Sequence, residues 1–472
     1  MTTLRFHGSA AVLLLPLALF VAVTARLFIS EAAFDLTGLA AAGVLTLFSG
    51  SLLAKAPSEY WKAAVRGASS ELTGTVVLIL IASGIFSAMM KASGVADGLV
   101  FLGGMLHLTG HAFTVFVLLA SSLMAAATGS SIGTLLAAMP IFFPAGVALG
   151  ADPAMLAGAV LSGAIFGDNL APVSDVTVIS SVTQRFRDGT PADIAGVVRT
   201  RLPYAMTALA VSMPVYAFMG ASRPVSEAAL SGDASALLML VPVAVLIAVA
   251  VRTRDVLMAI SAGTVTGTAT GLLIGRLSFA TIFAADDGRL SGFLISGISN
   301  VSPIILRCVT LFAFTGIVRE AGVPDMMAKA LEAGSAGRPS ALRTELFLSA
   351  ATLVVTTLFA AVTSASVALV GSLTDDIGRA SNVHPYRRSH ILSGLANSLP
   401  VLMPFSAFVL ITMAAVSGLE GAAAVTPFTL MTAAFYPIAL FLVFGFMVLT
   451  GTGRMMETPE PEAAEAKTAT AL

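Results

Sequence analysis

The chain has 472 residues, 57% of them hydrophobic and only 11% charged, with a formal net charge of −1 and a mean hydropathy of +0.94. Soluble domains carry about 25% charged residues, so the solvent that suits this composition is lipid, and the near-neutral balance leaves no basic footprint for nucleic acid. The single cysteine, Cys308, excludes an internal disulfide framework and a cysteine-rich metal site.

In chain order, residues 8–27 form the first apolar window that approaches the ~20 residues needed to cross ~30 Å of hydrocarbon. Taken alone, Arg5, the apolar run and the small residues before Arg26 also have the form of a signal peptide. Further windows fall at 36–54, 72–91, 202–221, 234–251, 256–275, 300–318 and 424–450. Between the second and third, Pro57 to Ser70 carries Tyr60 and Trp61 beside Lys62 and Arg66, which predicts a helix lying on the cytoplasmic leaflet. Its repeat counterpart, around 277–298, is expected on the outer face. Two windows, 155–182 and 390–414, are interrupted by polar residues, and His384 and His390 read as residues beside a basic loop. Two more, 111–149 and 345–374, are broken midway by ATGSSIGT (127–134) and AVTSASVALVGS (361–372). The end, from 453 to 472, is Pro- and Glu-rich with few large apolar residues and predicts a disordered cytoplasmic tail.

The windows repeat. LLPLALFVAVTAR (14–26) aligns with LVPVAVLIAVAVR (240–252), DLTGLAAAGVLT (35–46) with DVLMAISAGTVT (255–266), and KASGVAD (91–97) with REAGVPD (319–325). ATGSSIG (127–133) aligns with VTSASVA (362–368), and DNLAP (168–172) with NSLP (397–400), where Asn169 meets Asn397. Membrane sequence matches by chance, but five pairs in one order do not, and the recurrence argues against a cleaved leader. The reading is a duplication, 1–230 and 231–452. If the two polar breaks are tips of re-entrant hairpins, each half has five spans and the second half is inverted. Lys55, Lys62 and Arg66, then Arg185, Arg187, Arg199 and Arg201, then Arg252 and Arg254, and later Arg379, Arg387 and Arg388 all fall on the cytoplasmic side, together with both termini. The expected fold is therefore an all-α polytopic membrane protein with about 5+5 transmembrane helices, two hairpins and broken helices. That is the architecture of secondary transporters, and the expected site is a bacterial-type plasma membrane.

The chemistry gathers at the breaks. A carboxylate in mid-bilayer costs at least ~2.5–3.5 kcal/mol, so Asp168 and Asp175 in GDNLAPVSDVT must meet a cavity, a partner or a bound cation. Burial favours their protonated form and a nearby Na⁺ favours the ionised one; a site that holds either a proton or a cation is an exchanger. Pro172 breaks the helix between them. Thr128, Ser130, Ser131, Asn169, Ser174 and Thr177 offer the oxygen atoms a hard cation needs, and Thr363, Ser366, Asn397 and Ser398 are the second-half candidates. Single hydroxyls in a membrane helix more often serve close packing. Arg307, in VSPIILRCVTLFAF, is expected to bind a substrate carboxylate, form an ion pair, or snorkel to a surface. No GxxxxGK(S/T) ATP motor occurs.

ATGSSIGT followed by GAIFGDNLAPVSDVT resembles the paired signature of the NhaC-type sodium/proton antiporters, close to TG(S/T)SWGT and G(A/S)xFGDKxSPxSDTT. NSLPVLMPFSAF (397–408) is more loosely similar to that family's late motif. The resemblance covers about 70–440 and implies Na⁺/H⁺ antiport on an ion-transporter fold, with no cofactor beyond the transported Na⁺ and H⁺ and a homodimer by analogy. It places Thr128, Gly129, Ser130, Ser131, Gly133 and Thr134 on the first motif, and Gly167, Asp168, Pro172, Ser174, Asp175 and Thr177 on the second. Asn169 stands where the family has lysine, and Ile132 where it has tryptophan. The lost charge and Arg307 leave a second reading open, a Na⁺- or H⁺-coupled exchanger of a small organic anion or amino acid.

Overall fold

The computed structural model describes residues 4–7, 10–26, 36–108, 110–221, 233–253, 255–286, 289–322 and 340–457. Apart from a two-stranded ribbon, Ala284–Asp286 paired with Arg289–Ser291, the described elements are helical. Among the described residues eight helices are long and apolar enough to cross a membrane, or ten if each of two bent helix pairs is one span, so this is a multi-pass membrane protein.

The first half runs α1 (Leu14–Ala25), α2 (Leu36–Leu53), α3 (Pro57–Ala68), α4 (Glu71–Ser93), α5 (Val95–Met105), α6 (Gly110–Thr128), α7 (Ser131–Ala148), α8 (Pro153–Leu170), α9 (Asp175–Val182) and α10 (Ile194–Met219). The second runs α11 (Leu240–Thr253), α12 (Val256–Leu273), the single turn α13 (Phe279–Ile282), α14 (Phe293–Glu320), α15 (Ala341–Leu358), α16 (Thr363–Ala380), α17 (Pro385–Ala396), α18 (Ala407–Val416), α19 (Pro427–Ala433) and α20 (Phe435–Thr450). The expected repeat would set α1–α2 against α11–α12, α6–α7 against α15–α16, α8–α9 against α17–α18, and α10 against α19–α20. Residues 323–339, where the expected repeat would set a partner for α5, lie outside the described residues.

Helix α3 has Pro57 at its start, Glu59 in its first turn and Arg66 in its last, as helix-end electrostatics favour. A hydrogen bond from Lys62 (2.8 Å) holds the Glu59 carboxyl below its usual value. Tyr60, Ala63 and Ala64 are buried with Ala313 and Ile317 of α14, while Trp61 keeps an exposed face. The corresponding segment of the second half is built instead as α13 and the ribbon.

Short turns interrupt the helices near both polar stretches, although most of 361–372, from Thr363 onward, is helical rather than a break. Gly129 turns α6 into α7 at φ +69°, and the Ser130 hydroxyl accepts the Gly133 N–H (3.1 Å), capping α7. Residues 359–362 turn α15 into α16, with Ala360 and Ala361 at φ +50° and +59°. Each tip rests on the break of the next helix pair. A Cβ on Gly129 would come within 2.5 Å of the Val173 side chain, and Ala407 N–H donates to the Ala360 carbonyl (2.9 Å). The α17–α18 pair bends by 53° across a 3₁₀ turn, Leu399–Leu402.

A third break was not expected. The window 424–450 divides into α19 and α20, bent by 53° at Ala434. The Tyr216 hydroxyl enters the helical ladder there, donating to the Ala433 carbonyl (2.8 Å) and accepting the Phe435 N–H (3.0 Å). Ser162 in turn accepts the Tyr436 N–H (3.2 Å).

The charged segment read as a basic loop is a buried helix. Residues Arg387 to Ala396 of α17 are all buried. Arg387 pairs bidentately with fully buried Glu345 (3.0 and 3.1 Å), and Arg388 pairs with Asp375 (2.6 Å). Desolvated charges persist because partners from distant parts of the chain meet them. Residues 454 and 457, placed in the expected tail, are bonded to the helical body: Glu457 N–H donates to the Asn382 carbonyl (2.8 Å), and Arg454 donates to Glu345 (3.0 Å). Residues 458–472 lie outside the described residues.

Candidate functional site

Helix α8 carries the first aspartate into the most enclosed part of the molecule, with every residue from Leu156 to Asn169 buried. Close approach makes this possible. A Cβ on Gly167 would lie 2.2 Å from the Ala125 side chain and 2.3 Å from its backbone, so α6 and α8 touch main chain to main chain.

Pro172 ends α8 and sets its chemistry. It stands four residues after Asp168 and has no N–H, so the Asp168 carbonyl loses its helical donor; the Thr177 hydroxyl donates to it instead (3.3 Å). The Asp168 carboxylate is 5% exposed. Its Oδ1 accepts from Ser174 (2.7 Å), the residue before α9, and Ser131, at the first hairpin tip, is the other hydroxyl beside it. Among the described residues no Lys, Arg or His forms an ion pair with Asp168. The structure thus joins Asp168, Ser131, Ser174 and Thr177 in one cluster at the meeting of tip and break.

The other expected residues are placed differently. Asp175 is the first residue of α9 and is exposed, with no hydrogen-bond partner among the described residues. Ser130 is occupied as the α7 cap, and Thr128 donates to the Met124 carbonyl (2.9 Å). In the second half Ser366 donates to Val362 (2.9 Å) and Ser398 to Leu395 (2.7 Å). Thr363 opens α16, 5% exposed. Asn397 is fully buried, and neither atom of its amide has a partner. No side-chain hydrogen bond joins these four to Asp168 among the described residues. Helices α16 and α17 both pack on α9, whose Val176 clusters with Val355, Val367 and Leu392.

The N- and C-terminal parts of the chain are bonded to each other through Asn169 and through residues the sequence did not single out as site residues. Arg201, counted among the cytoplasmic basic residues, is fully buried. Its guanidinium donates to the Asn169 carbonyl (2.7 Å), Ser393 (2.9 Å), Ser180 (3.3 Å) and both oxygens of Ser389 (3.0 and 3.2 Å). Asn169 donates to Tyr436 (3.2 Å) and accepts from Ser393 (3.3 Å). His390 is fully buried, with Nε2 3.0 Å from Thr200. The available signal was positional: Arg201 lies inside α10 only two residues before Pro203, and four serines recur at 180, 181, 389 and 393. At the loop end, hydrogen bonds from Tyr386 and the Gly196 N–H hold the Asp193 carboxyl below its usual value, tying α10 to α17.

Arg307 is 3% exposed near the middle of α14, about 20 Å of helix from either end, so it does not snorkel. It forms no ion pair among the described residues. Its guanidinium lies 4.2 Å from the centre of the Phe20 ring. Such a contact contributes ~2 kcal/mol when desolvated, against several kcal/mol for burying the charge.

Residues 3–221 match the Na⁺/H⁺ antiporter family, so the resemblance read from the motifs holds over this first half. The chain is 33% identical over 158 residues to the malate-2H⁺/Na⁺-lactate antiporter of Bacillus subtilis, covering 34% of this chain and 32% of that one. It is 40% identical over 104 residues to the Na⁺/H⁺ antiporter NhaC of Alkalihalophilus pseudofirmus, covering 21% and 22%. The matches therefore span about a third or less of these relatives. Among solved structures, the MtrF efflux pump of Neisseria gonorrhoeae is similar over 92% of this chain and 95% of its own, at 12% identity and a TM-score of 0.39.

Proposed function

We propose that the whole chain is a secondary active transporter of the plasma membrane that exchanges Na⁺ for H⁺ by alternating access, with Asp168 as the exchange carboxylate. One observation carries this: a buried carboxylate beside the Ser174 and Ser131 hydroxyls, with no cationic side chain paired to it among the described residues. Such a group is stable only with a proton or a bound cation, and the two exclude each other. Ser131, Ser174 and the oxygens of the break complete a hard-cation shell. Exposed Asp175 is the carboxylate that an arriving ion meets first, and Thr128, Ser130, Asn169 and Thr177 hold the first tip and break in register. The unpartnered amide of Asn397, with Thr363, Ser366 and Ser398, forms the facing wall when the halves close.

The second half is inverted relative to the first, both termini are cytoplasmic, and the buried Arg201 network is the joint across which the halves move. The names of both curated relatives place Na⁺ and H⁺ on opposite sides of an exchange, which supports the reading.

The test uses inside-out vesicles acidified by respiration and monitored with a pH-sensitive dye. NaCl or LiCl relieves the quench, and Asp168→Asn abolishes the response while the protein remains in the membrane. A sodium response that survives in Asp168→Asn overturns the assignment of the site, and no response to any monovalent cation overturns the function.

A further inference from the structure

The cavity beside Arg307 has no part in the cation site, and it differs from its counterpart in the other half. Phe20 of α1, Gly43 and Thr46 of α2, the middle of α14, Ala360 at the second hairpin tip and Phe405 before α18 line it. The counterpart lies among α11, α12 and the first hairpin and is lined without a single charged residue. Each hairpin thus meets the opening helices of the other half. The offset that pairs Lys91 with Arg319 carries Arg307 onto Ile79, so the repeat does not demand an arginine here.

We propose that this cavity binds a small organic monocarboxylate, with Arg307 as the carboxylate ligand. The guanidinium is unpaired among the described residues, and its Nε is buried without a hydrogen-bond partner. Its planar fork matches a carboxylate bidentately. One arginine balances one negative charge. A dicarboxylate or phosphate would leave further charge against Phe20, Leu311, Leu358 and Phe405, where nothing solvates it. Those same side chains suit a hydrocarbon body. The hydroxyls of Thr46 and Thr310 already donate to the carbonyls of Ala42 and Arg307 (2.8 Å each). Their lone pairs remain to accept a hydroxyl from the ligand, which favours a hydroxy acid. The enclosed part of the cavity is small, so the ligand has only a few carbons.

The test is direct binding to the purified full chain in sodium-free detergent solution, by calorimetry and thermal shift, with choline salts of lactate, butyrate, succinate, phosphate and chloride. Lactate and butyrate bind saturably, lactate more tightly, while succinate, phosphate and chloride do not. Arg307→Gln weakens lactate binding at least about tenfold, Arg307→Lys weakens it less, and Thr310→Val erases the preference for lactate over butyrate. Should Arg307→Gln fail to fold, the other two variants decide. Equal binding of phosphate or chloride, unchanged binding in the arginine variants, or no binding of either monocarboxylate overturns the proposal. Asp168→Asn separates the two readings: it ends sodium-driven proton movement and leaves lactate binding in place, so either can fail alone.

Discussion

Replacing Glu345 by methionine isolates the energetics of the buried charges. Glu345 is fully enclosed and serves two arginines. Arg454 keeps 26% of its side chain exposed and can turn to water at little cost. Arg387 has no exposure and would be left as an uncompensated buried charge, which costs about 3–5 kcal/mol. Its remaining bonds to the carbonyls of Met447 (2.6 Å) and Thr452 (2.9 Å) place the effect at the lower end, about 3 kcal/mol. With about 2.1 cal/mol/K of unfolding entropy per residue over 472 residues, that is a fall in Tm of about 3 °C. The double variant Glu345→Met/Arg387→Met removes both charges and keeps the volume filled, so it recovers most of the loss. The assay is thermal unfolding of the four species, wild type, two singles and the double, in one detergent. A double variant as unstable as Glu345→Met alone, or a Glu345→Met protein indistinguishable from wild type, refutes the reasoning.

Asn169→Lys, which restores the family residue, places an ammonium beside the Arg201 guanidinium, 2.7 Å from the Asn169 carbonyl. Repulsion at ~4 Å and an effective dielectric of 20 is ~4 kcal/mol, so Tm falls by several degrees and Asn169→Lys/Arg201→Met restores it; equal stability of Asn169→Lys and wild type counts against this account. Gly129→Ala combines ~1–2 kcal/mol of left-handed strain with the 2.5 Å approach to Val173. It lifts the first tip from the break and raises the sodium concentration for half-maximal dye response, whereas an unchanged response shows that the tip does not shape the site. Tyr216→Phe strips the third break of its inserted hydroxyl and costs about 2–3 kcal/mol, seen as a lower Tm in the same assay and contradicted by a neutral result.

What the sequence disclosed was whatever is encoded locally. Window length and hydropathy marked most spans, ATGSSIGT marked the first hairpin tip, and Pro172 marked the end of α8. The Asp168 cluster was readable because its members lie within 131–177, close enough for a motif to hold them. The burial of Arg201, Arg387 and Arg388 was not legible, because a charge-bias argument sorts basic residues only by their position beside apolar windows. It does not register that Glu345, Asp375 and Ser393 fold against them from elsewhere. The break at Ala434 was hidden for the same reason: its cause is a tyrosine about two hundred residues away. The exposure of Asp175 was not legible either, since Pro172 breaks the helix between the two aspartates and the sequence does not give the direction that α9 takes.

The two hairpins reverse direction at different energetic cost. The first turns on glycine, for which a left-handed backbone is nearly free. The second turns on two consecutive alanines held left-handed, each carrying roughly 1–2 kcal/mol of steric strain that neighbouring contacts must offset. A rearrangement that loosens those contacts lets the second turn relax, while the first has nothing comparable to release. The two turns are therefore mechanically unequal, one a relaxed hinge and the other a loaded spring.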